Sequence, residues 1–113
     1  MADKAPLPEV DVRTRAKWRT WLTKHHASAA GVWLVMHKKH TGVKCVSYDD
    51  AVREALCFGW IDSLERQLDD ERYALKFSPR KPGSNWAESN RTRWAELKAA
   101  GLLAPAGKKL GPT

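Results

Sequence analysis

Two segments carry more polar specificity than a hydrophobic core requires. One is Ala55-Leu56-Cys57-Phe58-Gly59-Trp60-Ile61-Asp62-Ser63; the other runs from Phe77 to Trp86 as FSPRKPGSNW, with Asn90 soon after. Ser78, Arg80, Lys81 and Ser84 supply two hydroxyls and two cations just ahead of a predicted helix, whose first N–H groups lack intrahelical partners. A guanidinium such as that of Arg80 grips phosphate or carboxylate through two parallel hydrogen bonds. Pro79 and Pro82 stiffen the loop and lower its ordering cost on binding. The competing reading is a rigid, capped turn with no ligand.

Asp62 shares a face with Trp60 by strand alternation, and a buried carboxylate needs a partner. Arg80 and Lys81 are the nearest candidates by hairpin pairing, either in a structural ion pair or around a ligand that Asp62 orients or deprotonates. Asn90 falls within an apolar stripe of Trp86, Trp94 and Leu97, so its amide must be hydrogen-bonded. Its partner is either a backbone group of the 78–84 loop or a ligand in a pocket floored by the two Trp. The sequence thus predicts that Asp62, Arg80 and Asn90 converge beside Trp60 and Trp86.

The remaining reactive side chains fit poorly with catalysis or metal binding. His25 and His26 are adjacent on a helix and diverge, and His37 and His40 enclose Lys38 and Lys39, which repel a cation. No metal or other cofactor is expected. Cys57 lies at a helix C-terminus, where the partial negative charge disfavours a thiolate. Cys45 follows Lys44 and is the more reactive of the two. With two Cys and no CxxC, there is no disulfide framework, which fits a reduced compartment.

These residues must be positioned by a 113-residue chain, the length of one domain. Asp11 is the expected N-cap of a first helix reaching about Ala30, with Trp18, Trp21, Leu22, His25 and Ala29 on its buried stripe. Arg13, Lys17 and Lys24 share a second stripe. Val32–Lys38 reads as an internal strand and Lys39–Lys44 as a turn. Ser47 caps a second helix ended by Gly59. Trp60–Gln67 and Arg72–Ser78 alternate as a hairpin around Asp69-Asp70, with Trp60, Asp62 and Leu64 on one face. A last helix runs from about Asn85 to Ala100 before Gly101. Residues 1–10 and 104–113 read as tails. This order predicts an α+β domain with a small, largely antiparallel sheet against about three helices.

The net charge of +7 is unevenly spread: residues 12–48 hold eight Lys or Arg and no acid, and 72–113 hold nine against two acids. The intervening 49–71 is acidic. Such a distribution attracts anions, nucleic acid among them, unless it serves solubility alone. No run of ~18 apolar residues exists, which argues against a membrane span. The first twelve residues lack an apolar signal core, so a cytoplasmic location is expected.

The segments ALCFGWIDS and FSPRKPGSNW, with Asn90 in the next helix and the small-residue ending Ala99-Ala100-Gly101 to Pro105-Ala106-Gly107, resemble the YdeI/OmpD-associated family of bacteriocin-protection proteins. The resemblance is to that family's N-terminal region and covers about Trp18 to Gly107. It implies a role in stress protection and a YjbR/CyaY-like fold, with terminal helices against an antiparallel sheet. Together these readings favour a non-enzymatic protein, a monomer or weak dimer, that binds an anionic ligand. Nucleic acid is a candidate, held on Arg13, Lys17 and Lys24 and the 78–85 loop. The alternatives are a small enzyme or ligand pocket built on Trp60, Asp62, Arg80, Ser84 and Asn90, and a protein-interaction module.

Overall fold

The computed structural model describes residues 7–112. Its elements are β1 (Glu9–Val10), α1 (Arg15–His25), β2 (Val32–His37), α2 (Tyr48–Cys57), β3 (Trp60–Gln67), β4 (Arg72–Pro79), α3 (Glu88–Ala99) and α4 (Pro105–Lys109). The four strands form one sheet in the order β1-β2-β4-β3. Only the β1–β2 pair is parallel; the others are antiparallel. The expected α+β architecture is therefore present, with a mainly antiparallel sheet and four helices.

Register explains which face is buried. β2 aligns Val32 with Phe77 and Leu34 with Leu75, so these four side chains share the face beneath the helices. Trp18 and Leu22 of α1, and Val52, Ala55 and Leu56 of α2, close that face and are almost fully buried. The Trp18 indole also spends its one donor on the Ala51 carbonyl at 3.0 Å, tying α1 to α2 without an unsatisfied polar group. Ser47 caps α2 as predicted, its side chain accepting from the Asp50 N–H at 3.1 Å. Gly59 then turns the chain into β3 with φ of 75°, a conformation that only glycine adopts without steric cost.

Four expectations need correction. The first helix is capped by Thr14, not Asp11, and ends at His25 well before Gly31. Asp11 instead accepts hydrogen bonds from His37 and Arg13. Arg13 precedes the helix with φ of 56°, so it does not continue the stripe of Lys17 and Lys24. An irregularity between Asp62 and Glu65 shifts the register of β3, and Leu64 is 57% exposed instead of following Trp60 and Asp62 inward.

The fourth concerns the segments read as tails. Residues 1–6 and 113 lie outside the described residues, but Glu9–Val10 pairs with β2 and Pro105–Lys109 forms α4. The C-terminal segment is held by specific bonds: the Ala104 N–H donates to the Cys57 carbonyl at 2.9 Å, and the Trp94 indole donates to Gly107 at 3.0 Å. Their short, Pro- and Gly-containing sequences have no periodicity of their own, and long-range pairing supplies what local pattern lacks.

Candidate functional site

The 78–86 loop is organised around Arg80. As the chain leaves β4, the Arg80 N–H donates to the Gly59 carbonyl at 2.8 Å, and the side chain folds inward to 8% exposure. Its Nη2 donates to Ser84 Oγ at 3.0 Å and to the Asn85 carbonyl at 2.8 Å, bridging both sides of the turn. The guanidinium lies over the Trp86 ring, 3.9 Å from its centroid. Its Nε is buried with no partner, and no carboxylate among the described residues is within ion-pairing distance. Burial alone therefore pushes its pKa below the usual arginine value. An arginine so placed stays charged, so Trp86 and the two oxygen acceptors are what stabilise the cation.

Beside this turn is a small cavity of about 220 Å³, lined by Lys81, Ser84 and Trp86 of the loop and by Lys109, Leu110 and Gly111 at the end of α4. Two lysines and one hydroxyl around a cavity of this size suit a phosphate or carboxylate group. The contribution of α4 was not legible in the sequence, because 104–113 carried no helical pattern.

The predicted convergence of Asp62, Arg80 and Asn90 does not occur through any direct bond among the described residues. The Asp62 carboxylate accepts from the Tyr48 hydroxyl at 2.9 Å, not from Arg80 or Lys81. Asn90 Oδ1 accepts from Arg93 Nη1 at 2.8 Å, not from the 78–84 backbone, and Arg93 Nε donates on to Asp49 at 2.9 Å. Register is the reason: β3 starts at Trp60 opposite Pro79 and Asp62 lies opposite Phe77, so Arg80 follows the end of β4, three residues beyond the partner of Asp62. Trp60 is a core residue at 1% exposure, its indole donating to the His26 carbonyl at 3.3 Å. Ser78, paired with Ile61, stands on the sheet face opposite Phe77 and does not line the cavity.

Lys17 and Lys24 are exposed on α1, whereas Arg13 is paired with Asp11 at 2.8 Å. The predicted three-cation surface thus reduces to two lysines. A broader division emerges: among the described residues, the cations of the ion pairs are arginines, His37 hydrogen-bonds Asp11, and no lysine has a carboxylate within 4.0 Å. Much of the charge available to a ligand is therefore carried by lysine, with the exposed Arg91 also outside any ion pair among the described residues.

Two features were missed from the sequence. Glu54, 3% exposed, accepts from Arg15 Nε at 2.5 Å and from Arg19 Nη1 at 2.9 Å, neutralising part of the basic 12–48 segment from the acidic one. Its position on the buried side of α2, where Ala51, Val52 and Ala55 also lie, was the available signal. The second is a groove of about 990 Å³ between the 38–48 segment and Tyr73. Lys39–Lys44 had read as a turn, and only tertiary structure shows that its residues line a groove with Tyr73.

Fold and sites together define a small basic α+β domain with two lysine-rimmed clefts. Residues 10–110 match the family described as a domain of unknown function, DUF8412, and the chain belongs to that family. No curated protein and no solved structure matches it.

Proposed function

We propose that this domain is a non-enzymatic binder of a phosphate-bearing ligand, received between Lys81, Ser84 and Lys109. The observation that carries this reading is the turn itself: a buried arginine with no carboxylate partner braces a loop that presents Lys81 beside the Trp86 ring, with Lys109 of α4 lining the same cavity. Such a loop meets an anion with little further ordering. Asp62, Arg80 and Asn90 each bond other residues instead of one another, which supports the binding reading over an enzymatic one. Cys57 offers no nucleophile, since burial, with Glu54 adding to it, pushes its thiol pKa up. The resemblance of ALCFGWIDS and FSPRKPGSNW to YdeI/OmpD-associated proteins supports a stress-protection role for the binding.

The phosphate can belong to a small molecule or to a nucleic-acid backbone, and one titration distinguishes them. Backbone amide and indole resonances of Lys81–Trp86 and Lys109–Gly111 are followed by NMR while inorganic phosphate or a single-stranded oligonucleotide is added. Shifts confined to these residues with phosphate support the small-molecule form. A backbone ligand gives tighter oligonucleotide binding, with log K falling with log salt by about 0.7 per phosphate neutralised. Lys81→Glu with Lys109→Glu abolishes either response. Absence of shifts with both at about 50 mM salt overturns the proposal.

A further inference from the structure

The groove between the 38–48 segment and β4 is separate from the 78–86 loop, and its chemistry differs. After β2 the chain makes one short 3₁₀ turn at Lys39–Thr41, reverses at Gly42 with φ of 70°, and runs without regular structure to the Ser47 cap. Two attachments hold this strap. Val46 is buried in the core at 4% exposure, and Cys45 Sγ accepts from the His37 N–H at 3.4 Å. Ahead of these two adjacent residues, the stretch from Lys38 to Lys44 lines, together with Tyr73, a groove of about 990 Å³.

Its walls are apolar and partly aromatic: Met36, Val43, Cys45, Tyr48 and Tyr73. Val43 at 37% and Tyr48 at 47% exposure are two of the four large apolar side chains left uncovered among the described residues. The Tyr48 hydroxyl is already engaged by Asp62, which fixes the side chain at the groove. Around these walls stand Lys38, Lys39 and Lys44, none with a carboxylate partner among the described residues. Among the described residues the one acid of the lining, Asp49, is bound by both Arg53 and Arg93. Glu65 lies near Tyr73 but does not line the groove. The groove is thus apolar inside and positive at its rim.

From this geometry we propose a second binding site, for an aromatic carboxylic acid: a flat apolar body between Tyr48 and Tyr73, with its carboxylate toward the lysines. The volume is that of sites for drug-sized molecules, about 300–1,000 Å³, and far exceeds what an inorganic anion fills. An apolar body accounts for the uncovered Val43 and Tyr48, and an anionic group accounts for the rim. A neutral ligand leaves the lysines unused, and a bare anion leaves the apolar walls wet.

Cys45 gives a readout confined to the groove, because it lines the walls while Cys57 is fully buried. The rate of Cys45 alkylation by iodoacetamide is measured by mass spectrometry with 2-naphthoate or with its neutral analogue, 2-naphthamide. Naphthoate is expected to protect Cys45 at about tenfold lower concentration than naphthamide, the combined effect of several exposed charge contacts. Lys38→Gln, Lys39→Gln and Lys44→Gln together are expected to remove that preference and leave protection by naphthamide unchanged. Equal protection by the two compounds, or none by either at millimolar concentration, overturns the proposal. So does protection that grows with protein concentration alone, which assigns the groove to a second copy of the chain. None of these outcomes bears on phosphate binding at Lys81 and Lys109, which is read from other residues.

Discussion

The Arg80 guanidinium stacks on the Trp86 ring at 3.9 Å while bonding Ser84 and Asn85, so one side chain closes a seven-residue turn between β4 and α3. Without a carboxylate partner, the stability of this arrangement comes from the ring face and the two oxygen acceptors. Arg80→Ala is expected to cost about 2 kcal/mol, from the lost charged hydrogen bonds and cation–π contact. Arg80→Lys is expected to cost about 1 kcal/mol, because an ammonium keeps the charge but loses the planar fork. Urea denaturation decides: a cost below about 0.5 kcal/mol for Arg80→Ala means the loop does not depend on it.

Gly107 shows how the C-terminal segment is joined to the core. A Cβ there overlaps the Cys57 carbonyl and comes within 2.8 Å of the Leu56 carbonyl, both backbone atoms of α2 that cannot move aside. Gly107→Ala is therefore expected to displace α4 and cost about 1–3 kcal/mol. The same displacement releases the Trp94 indole from the Gly107 carbonyl, so the fluorescence of that Trp should shift to the red in the folded protein. Unchanged stability and emission would mean that α4 is not docked on α2.

Glu54 joins two arginines of α1 to α2. Its carboxylate is buried, whereas Arg15 and Arg19 are about one-third exposed, at 38% and 35%. Glu54→Gln leaves both guanidinium groups partly hydrated, and the cost is expected to be about 2 kcal/mol, below the 3–5 kcal/mol of a fully buried pair. A thermal or urea midpoint equal to that of the parent would contradict the placement of Glu54 between the two helices.

Acid should weaken the fold through Asp49. Hydrogen bonds from Arg93 and Arg53 hold its carboxyl below the ordinary 3.8. A group with a depressed folded pKa contributes its full stability above the unfolded value and loses it as pH falls through the folded one. Stability is therefore expected to decline below about pH 4, and Asp49→Asn to flatten part of that decline. Because Asp49 is half exposed, its loss at pH 7 costs less than about 1 kcal/mol. Asn90→Leu spares the Arg93–Asp49 bond and is expected to cost less than about 0.5 kcal/mol. Urea midpoints of the three proteins between pH 2 and 7 test this, and parallel curves for parent and Asp49→Asn would refute it.

The sequence by itself determined the elements whose cause is local. Ser47 capping α2, the hairpin around Asp69-Asp70, and the stop after α3 at Gly101 follow from side-chain caps, strand alternation and glycine at φ of 73°, all within a few residues of each other. It also located the Arg80–Trp86 turn, because proline, glycine and paired cations mark such a turn before any packing is known. What it could not determine is where separate segments meet. Asp62 bonds Tyr48 instead of Arg80 because the register of β3 against β4 sets their relative positions, and register is a property of two strands. β1 and α4 exist because β2 and α2 bind them. The large groove is a gap between the 38–48 strap and Tyr73, and a gap between distant segments leaves no mark in the pattern of either.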